Sequence, residues 1–357
     1  MAMKKYYLKV KKRHHLLLTG FLLVVAGNSV LALEFGDLPE YVHDSNWPQE
    51  LEQFHWGLYE AGGKFDTSQS ATGMGVNAEK GLIYALVRSK PHVRVYKTDG
   101  TLVDTWSPEK VGRVHMLHVE QSGNIWIADT LGHTVTKYTP EGEVLLSLGT
   151  FGEAGMDAEH FAEPTDVSST ADGKYIFVSD GYVNKRVAKF DSTGKYLGMW
   201  GGKDAGLADG QFVLPHSLTV LNKKIYVADR DGARVQVFDL DGNFIEDWRD
   251  TIAPWAIASI ANYVLVAGER LVSGKSTESI ASEKVKGGYT DPPLRQDVLV
   301  FNETGEIVKK ISLPQGNQYG QVSWLHAIDV DDEGNIFLSD VVGNHIQKWK
   351  LGRSEVK

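Results

Sequence analysis

The chain has 357 residues, no cysteine, and 46 acidic against 37 basic side chains, a formal net charge of −9 at neutral pH. That balance is a poor match for nucleic acid or anionic lipid. Without cysteine there are no disulfides, so stability must come from a packed core, and any metal site must use nitrogen and oxygen ligands.

Residues 1–32 predict a signal peptide. Lys4, Lys5, Lys9, Lys11, Lys12 and Arg13 make a positive leading region, and Leu16 to Ala26 is apolar but too short for a stable membrane span. Val30-Leu31-Ala32 fits the small-x-small pattern of signal cleavage. The expectation is an exported protein, periplasmic or secreted, with no stable span after cleavage. Losing six basic and no acidic residues would take the formal charge from −9 to −15. Residues 33–52 read as a lead-in segment, and 53–352 as one repeat domain.

A repeat follows. Residues 73–106 form a first, degenerate unit. Residues 123–138 (GNIWIADTLGHTVTKY), 173–190, 223–238 and 334–349 (GNIFLSDVVGNHIQKW) share one pattern. An alternating apolar strand ends in Ala/Ser-Asp, and a polar turn leads to a second strand ending in an aromatic residue. Such period-2 alternation, bounded by Gly, Asn and Asp, predicts β-hairpins. A third strand follows most units (140–149, 192–201, 239–248), and a short one precedes each (115–121, 165–170, 216–221, 326–331). Residues 255–313 make a second degenerate unit, interrupted by a polar stretch from Arg270 to Gln296 that reads as a loop on one face. Four antiparallel strands per unit, six times over, predict an all-β, six-bladed β-propeller. The last unit has too few residues after Trp349 for a long outer strand, and residues Phe54 to Tyr59 are expected to supply it and close the ring.

The innermost strand of each blade begins at an equivalent place. Blades two, four and six carry His115, His216 and His326 there, whereas blades three and five carry Thr165 and Trp255. Alternate blades of a six-fold ring are about 120° apart, so the three imidazoles should converge on the axis. Three imidazoles with a position left open suit a catalytic zinc. His43, His55, His92, His118, His133, His160 and His345 show no such register and read as structural or solvent-facing. Where second strands end, Arg88, Tyr182 and Arg230 stand near the channel mouth. Two arginines beside a metal suit a carboxylate substrate. A tyrosine among such cations can serve as a general base. Asp129, Asp180, Asp229 and Asp340 recur at one repeat position and read as turn and ladder scaffolding.

The repeats resemble NHL repeats. Residues 160–167, 178–186 (VSDGYVNKR), 210–218 (GQFVLPHSL) and 227–230 (VADR) resemble more specifically the peptidyl-α-hydroxyglycine α-amidating lyase family, also called peptidylamidoglycolate lyases. The resemblance spans all six blades and is densest over 158–240. It implies a six-bladed propeller with a catalytic zinc that splits a peptidyl-α-hydroxyglycine into an amide and glyoxylate. It places the zinc ligands on His115, His216 and His326, the catalytic tyrosine on Tyr182 and two arginines on Arg88 and Arg230.

Some positions depart from the family. The family's structural calcium uses an Asp directly after the third zinc histidine, where this chain has Ala327; Leu117 could still offer a backbone carbonyl. Trp324 replaces a family methionine, and the family's two disulfides fall on Ala162 with Val183 and Tyr226 with Val237, all four without sulfur. No copper monooxygenase segment accompanies the repeats, so the hydroxylated substrate is expected from elsewhere. Two other readings are open: a metal-dependent hydrolase such as a lactonase, against which the axial histidines argue, and a non-catalytic NHL propeller binding a protein or small ligand. The partner expected on the lyase reading is a small anionic α-hydroxyglycine compound, not a nucleic acid.

Overall fold

The structure is a computed structural model that describes residues 38, 40–49, 67–202, 204, 206–271, 275–287, 295–343 and 345–352. The signal-peptide stretch and residues 54–59 lie outside the described residues. Six four-stranded antiparallel sheets are present, each running in sequence order from the innermost strand outward, except the last. Blade one runs Ala71–Asn77, Leu82–Val87, Val93–Lys97 and Leu102–Trp106. Blade two runs Val114–Val119, Ile125–Asp129, Thr134–Tyr138 and Val144–Leu148. Blade three runs Asp166–Ser169, Tyr175–Asp180, Arg186–Asp191 and Tyr196–Gly201. Blade four runs Pro215–Leu221, Lys224–Asp229, Arg234–Asp239 and Phe244–Trp248. Blade five runs Ile252–Ile260, Tyr263–Arg270, Gln296–Asn302 and Ile307–Ser312. Blade six takes Leu325–Val330, Ile336–Asp340 and His345–Leu351 from the end of the chain and Tyr41–His43 from its beginning.

That last strand corrects one expectation. The ring closes from the N-terminal side, but with Tyr41–His43, which lies in the stretch read as a lead-in segment. Tyr41 pairs with Leu351, Val42 with Lys350 and His43 with Trp349. Trp47, only 1% exposed, then fills the seam between the last and first blades, edge-on to Phe337 at 5.2 Å and 5.7 Å from Tyr96. Pairing the final outer strand removes an open sheet edge.

The seams between blades explain the repeating aromatic residues. Trp106 packs 5.3 Å from Tyr138 of the next blade, Trp200 packs 5.4 Å from Phe238, and Trp248 stacks on Phe301 at 4.7 Å. Each such pair contributes about 0.5–1.5 kcal/mol beyond its buried area. The turn glycine of the following blade lies under the tryptophan: a Cβ on Gly242 would stand 2.6 Å from Trp200, and its φ of +85° suits glycine. The insertion also differs from expectation, since it contains helix α1 (Thr277–Gly287). Asp250 Oδ1 accepts from the Thr277 N–H at 2.8 Å, and the Thr277 hydroxyl donates to the Ala233 carbonyl at 3.0 Å, docking the helix on the turn that carries Arg230. Among the described residues no helix is long and apolar enough to cross a membrane.

Candidate metal centre

The axial positions are set by interrupted strand pairing. In blade two the ladder pairs Val114 with Asp129 and then Met116 with Ala128, so His115 has no partner. The same interruption falls at His216, at His326, at Thr72 of blade one and at Trp255 of blade five. A bulged residue leaves the pleat alternation, and its side chain can turn out of the sheet plane. In these five blades the bulge frees one side chain from the sheet, and in blades two, four and six it is the axial histidine.

His115, His216 and His326 are all buried, and their ligand nitrogens lie within 4.8 Å of one another. Their ring centroids are 4.7–5.2 Å apart and the rings stand nearly perpendicular to each other. Each Nδ1 bonds to the axial carbonyl of the following blade: His115 to Thr165 at 2.7 Å, His216 to Trp255 at 2.6 Å, and His326 to Thr72 at 2.7 Å. A carbonyl only accepts, so each Nδ1 carries the proton and each Nε2 is left with a bare lone pair. Blades with histidines thus lean on blades without them, in three repeats around the ring. Backbone partners of this kind fix ring orientation and ligand basicity in metal sites. Burial is the main cause that lowers the three pKa values, followed by repulsion among the histidines and from Arg88 and Arg230; His326 falls to about 3. The neutral, donor-ready form therefore prevails at neutral pH, and the three side chains could hold a metal ion.

The other predicted site residues gather at the same place. The Tyr182 hydroxyl donates to His115 Nε2 at 3.0 Å and lies 3.4 Å from His216 Nε2. Arg88 Nη2 lies 3.3 Å from the Thr72 hydroxyl, which donates to the His115 carbonyl at 2.7 Å. Burial, followed by repulsion from Arg113, lowers Arg88 to about 10, which leaves it charged at neutral pH. The Arg230 guanidinium sits 4.5 Å over Trp255 and 5.7 Å from the Tyr182 ring, and pairs with Asp231 at 2.8 Å. Arg88, Tyr182, Arg230 and Trp255 line a pocket of about 240 Å³ together with His326, Thr67, Arg113, Trp324 and Val341.

The recurring aspartates hold the loops that lead into the histidines. Asp129 accepts from the Gly112 and Arg113 N–H groups, Asp229 from Val213 and Leu214, and Asp340 from Ser323 and Trp324. Each pinned pair lies two or three residues before an axial histidine. Asp229 also pairs with Arg234 at 3.1 Å, both side chains fully buried. Asp229→Ala is therefore expected to cost about 3 kcal/mol of unfolding free energy, because it strips the Val213 and Leu214 N–H groups of their acceptor and leaves Arg234 with Asp247 as its remaining carboxylate. Chemical denaturation checks this, and a loss below about 1 kcal/mol would show that the loop before His216 needs no such anchor.

The other described histidines are engaged away from the axial cluster. His92 bonds to the Val87 carbonyl, His133 accepts from the Glu163 N–H, His160 pairs with Asp157, His345 bonds to Gly343 and Gln321, and His43 packs on Trp349. His118 Nε2 lies 3.0 Å from the Ser169 hydroxyl, and burial lowers its pKa to about 4. His55 lies outside the described residues. His118 lines a separate channel cavity of about 220 Å³, together with Leu117, Ala327, Asp166 and Asp329. Sequence reasoning assigned no role to the two aspartates there. Asp166 stands directly after Thr165, the register position that Ala327 fills on blade six. Burial raises both carboxyls to about 7, although Ser217 and Leu218 donate to Asp166 and Val76 donates to Asp329. Arg113 was also missed, although it stands two residues before His115 just as Trp324 stands two before His326.

No protein-family model matches the chain. It is 38% identical over 247 residues to a peptidylglycine α-amidating monooxygenase of Rattus norvegicus, covering 66% of this chain and 23% of that protein. It is 36% identical over 127 residues to a probable peptidyl-α-hydroxyglycine α-amidating lyase of Caenorhabditis elegans, covering 35% of this chain and 36% of that one. It is 29% identical over 249 residues to NHL repeat-containing protein 3 of Homo sapiens, covering 64% and 66%. The chain spans about a quarter of the length of the monooxygenase relatives it matches. Among solved structures, a streptogramin B lyase superposes with a TM-score of 0.51 at 13% identity, covering 80% of this chain and 95% of that one, a likeness of fold alone. The chain is thus a six-bladed NHL-type propeller and a homologue of proteins named peptidyl-α-hydroxyglycine α-amidating lyase.

Proposed function

We propose that the protein is a zinc-dependent carbon–nitrogen lyase that splits N-acyl-α-hydroxyglycines, peptidyl ones included, into an amide and glyoxylate. One observation carries this reading: the ligand nitrogens of three histidines lie within 4.8 Å of one another, with the Tyr182 hydroxyl 3.0 Å from His115 Nε2 and 3.4 Å from His216 Nε2. The donor set fits zinc, because three neutral imidazoles fixed from behind by carbonyls match its preference for nitrogen and leave a position open. When bound, zinc supplies a Lewis acid that makes the substrate's α-hydroxyl easier to deprotonate. Calcium has no part in this reading, because Ala327 offers only a methyl group.

The chain's own groups supply the rest. Arg88 takes the glycine carboxylate, a task its fork of N–H donors suits. Tyr182, acting as the phenolate after giving its own proton to solvent, takes the α-hydroxyl proton; the oxygen's electron pair forms the carbonyl of glyoxylate as the carbon–nitrogen bond breaks. The proton returns from Tyr182 to the departing amide nitrogen, so the reaction needs no outside acid, base or oxidant. Arg230 offsets negative charge on the tyrosine, while Asp231 keeps Arg230 in place. Trp255 and Trp324, perpendicular with centroids 4.9 Å apart, wall the pocket and limit water. Export by the leader at residues 1–32, ahead of the propeller, forms part of the same proposal.

Incubating the protein with an N-acyl-α-hydroxyglycine should release glyoxylate and amide in equal amounts. A metal-loaded protein releasing no glyoxylate would end the lyase reading and leave a metal-bearing propeller. A second expectation follows from the lowered histidine pKa values. Three exposed histidines near 6.5 would lose about 60-fold in metal affinity between pH 8 and pH 6 through proton competition. Here the loss should stay within about twofold, because the site is already unprotonated at pH 6. Chelator competition at both pH values measures it, and a loss near 60-fold would mean that the rings are not held as described.

A further inference from the structure

The pocket is strongly cationic for a chain of net charge −9. Arg88, Arg113 and Arg230 all line it. Arg230 has its carboxylate in Asp231 at 2.8 Å. Among the described residues no carboxylate pairs with Arg88 or Arg113. The glycine carboxylate of the proposed substrate answers one of these charges, and one is left over.

The two arginines differ in depth. Arg88 reaches the Thr72 hydroxyl, itself 3.4 Å from His326 Nδ1, so it stands beside the histidines. Arg113 is exposed, two residues before His115, and its Nη2 donates to the Thr67 hydroxyl at 2.8 Å. Thr67 also takes Arg88 Nη1 on its carbonyl at 3.2 Å, and so links the two guanidiniums. A ligand running from the axis to solvent meets Arg88 first and Arg113 afterwards. The part of the substrate that lies outward of the glycine is the acyl group.

We propose that Arg113 is a specificity residue selecting α-hydroxyglycines whose acyl part carries a second carboxylate a few bonds from the amide. The inference rests on the lyase reading for the identity of the substrate, but its test does not require turnover. N-succinylglycine and N-butanoylglycine differ only in a terminal carboxylate against a methyl group, and neither can be cleaved. By calorimetry the protein should bind N-succinylglycine about 10–100-fold more tightly, the range of one charge-assisted hydrogen bond. The matching α-hydroxyglycines should show the same preference in kcat/KM, carried by KM. Arg113→Ala removes an exposed side chain and leaves the backbone bond to Asp129, so the variant should fold, and both ratios should fall to near one. A ratio near one in the unaltered protein, or a ratio unchanged in Arg113→Ala, would overturn the proposal. A preference in binding with no glyoxylate released from either matching α-hydroxyglycine would support Arg113 and sink the lyase reading.

Discussion

Tyr182→Phe is expected to lower kcat for glyoxylate release by about two to four orders of magnitude, the usual contribution of a positioned acid–base group. Bound metal should stay near one ion per chain. The argument is geometric. The hydroxyl stands 3.0 Å from His115 Nε2 and 3.4 Å from His216 Nε2, beside the three histidines and in reach of a ligand bound there. Phenylalanine keeps the ring, and with it the face toward Arg230, but removes the atom that would move the proton. KM should change little if Arg88 holds the carboxylate. Metal analysis beside steady-state kinetics separates the two effects. Turnover undiminished in Tyr182→Phe would remove this residue as the base, and loss of metal would recast it as a ligand.

His216→Ala should have the larger effect on the metal. It removes one of three donors and also frees the Trp255 carbonyl, which His216 Nδ1 meets at 2.6 Å. Losing only a partner behind a metal ligand costs about 10–100-fold in affinity, and losing the ligand itself should cost more. Glyoxylate release should then disappear at micromolar zinc. The blade should survive, since the substitution trims a buried ring from a closed sheet; a shift of about 1–3 kcal/mol in denaturation is expected. His118→Ala is the matching control: it removes another imidazole from the channel wall, where His118 bonds to Ser169 and not to the triad. Metal loss in His118→Ala equal to that in His216→Ala would mean that the three-histidine centre is misassigned.

Much of this was legible in the sequence because the repeat is physical. Strands with alternating apolar residues, ending in Asp129, Asp180, Asp229 and Asp340, can bury their faces only against a neighbouring copy, which dictates a ring. Three histidines at one register of alternate copies then have to converge. What the sequence hid were features without periodicity. The bulges at His115, His216 and His326 cannot be seen without the pairing partner, and it is the bulge that aims the ring. The closing strand Tyr41–His43 is too short to carry an alternation signal, so the more apolar Phe54–Tyr59 looked the better candidate. Helix α1 lies in a polar stretch with weak amphipathic patterning and depends on tertiary anchors at Asp250 and Ala233. Arg113 belongs to no repeated signature; only the fold brings Asp129 to its backbone and Thr67 to its side chain.

X-ray absorption at the zinc edge, on protein purified without added chelator, addresses the central claim most directly. The expected spectrum shows about one zinc per chain with three imidazole nitrogens at about 2.0–2.1 Å and one further light atom. A protein that takes up no zinc, or whose zinc is ringed by carboxylate oxygens without imidazole scattering, would contradict the account.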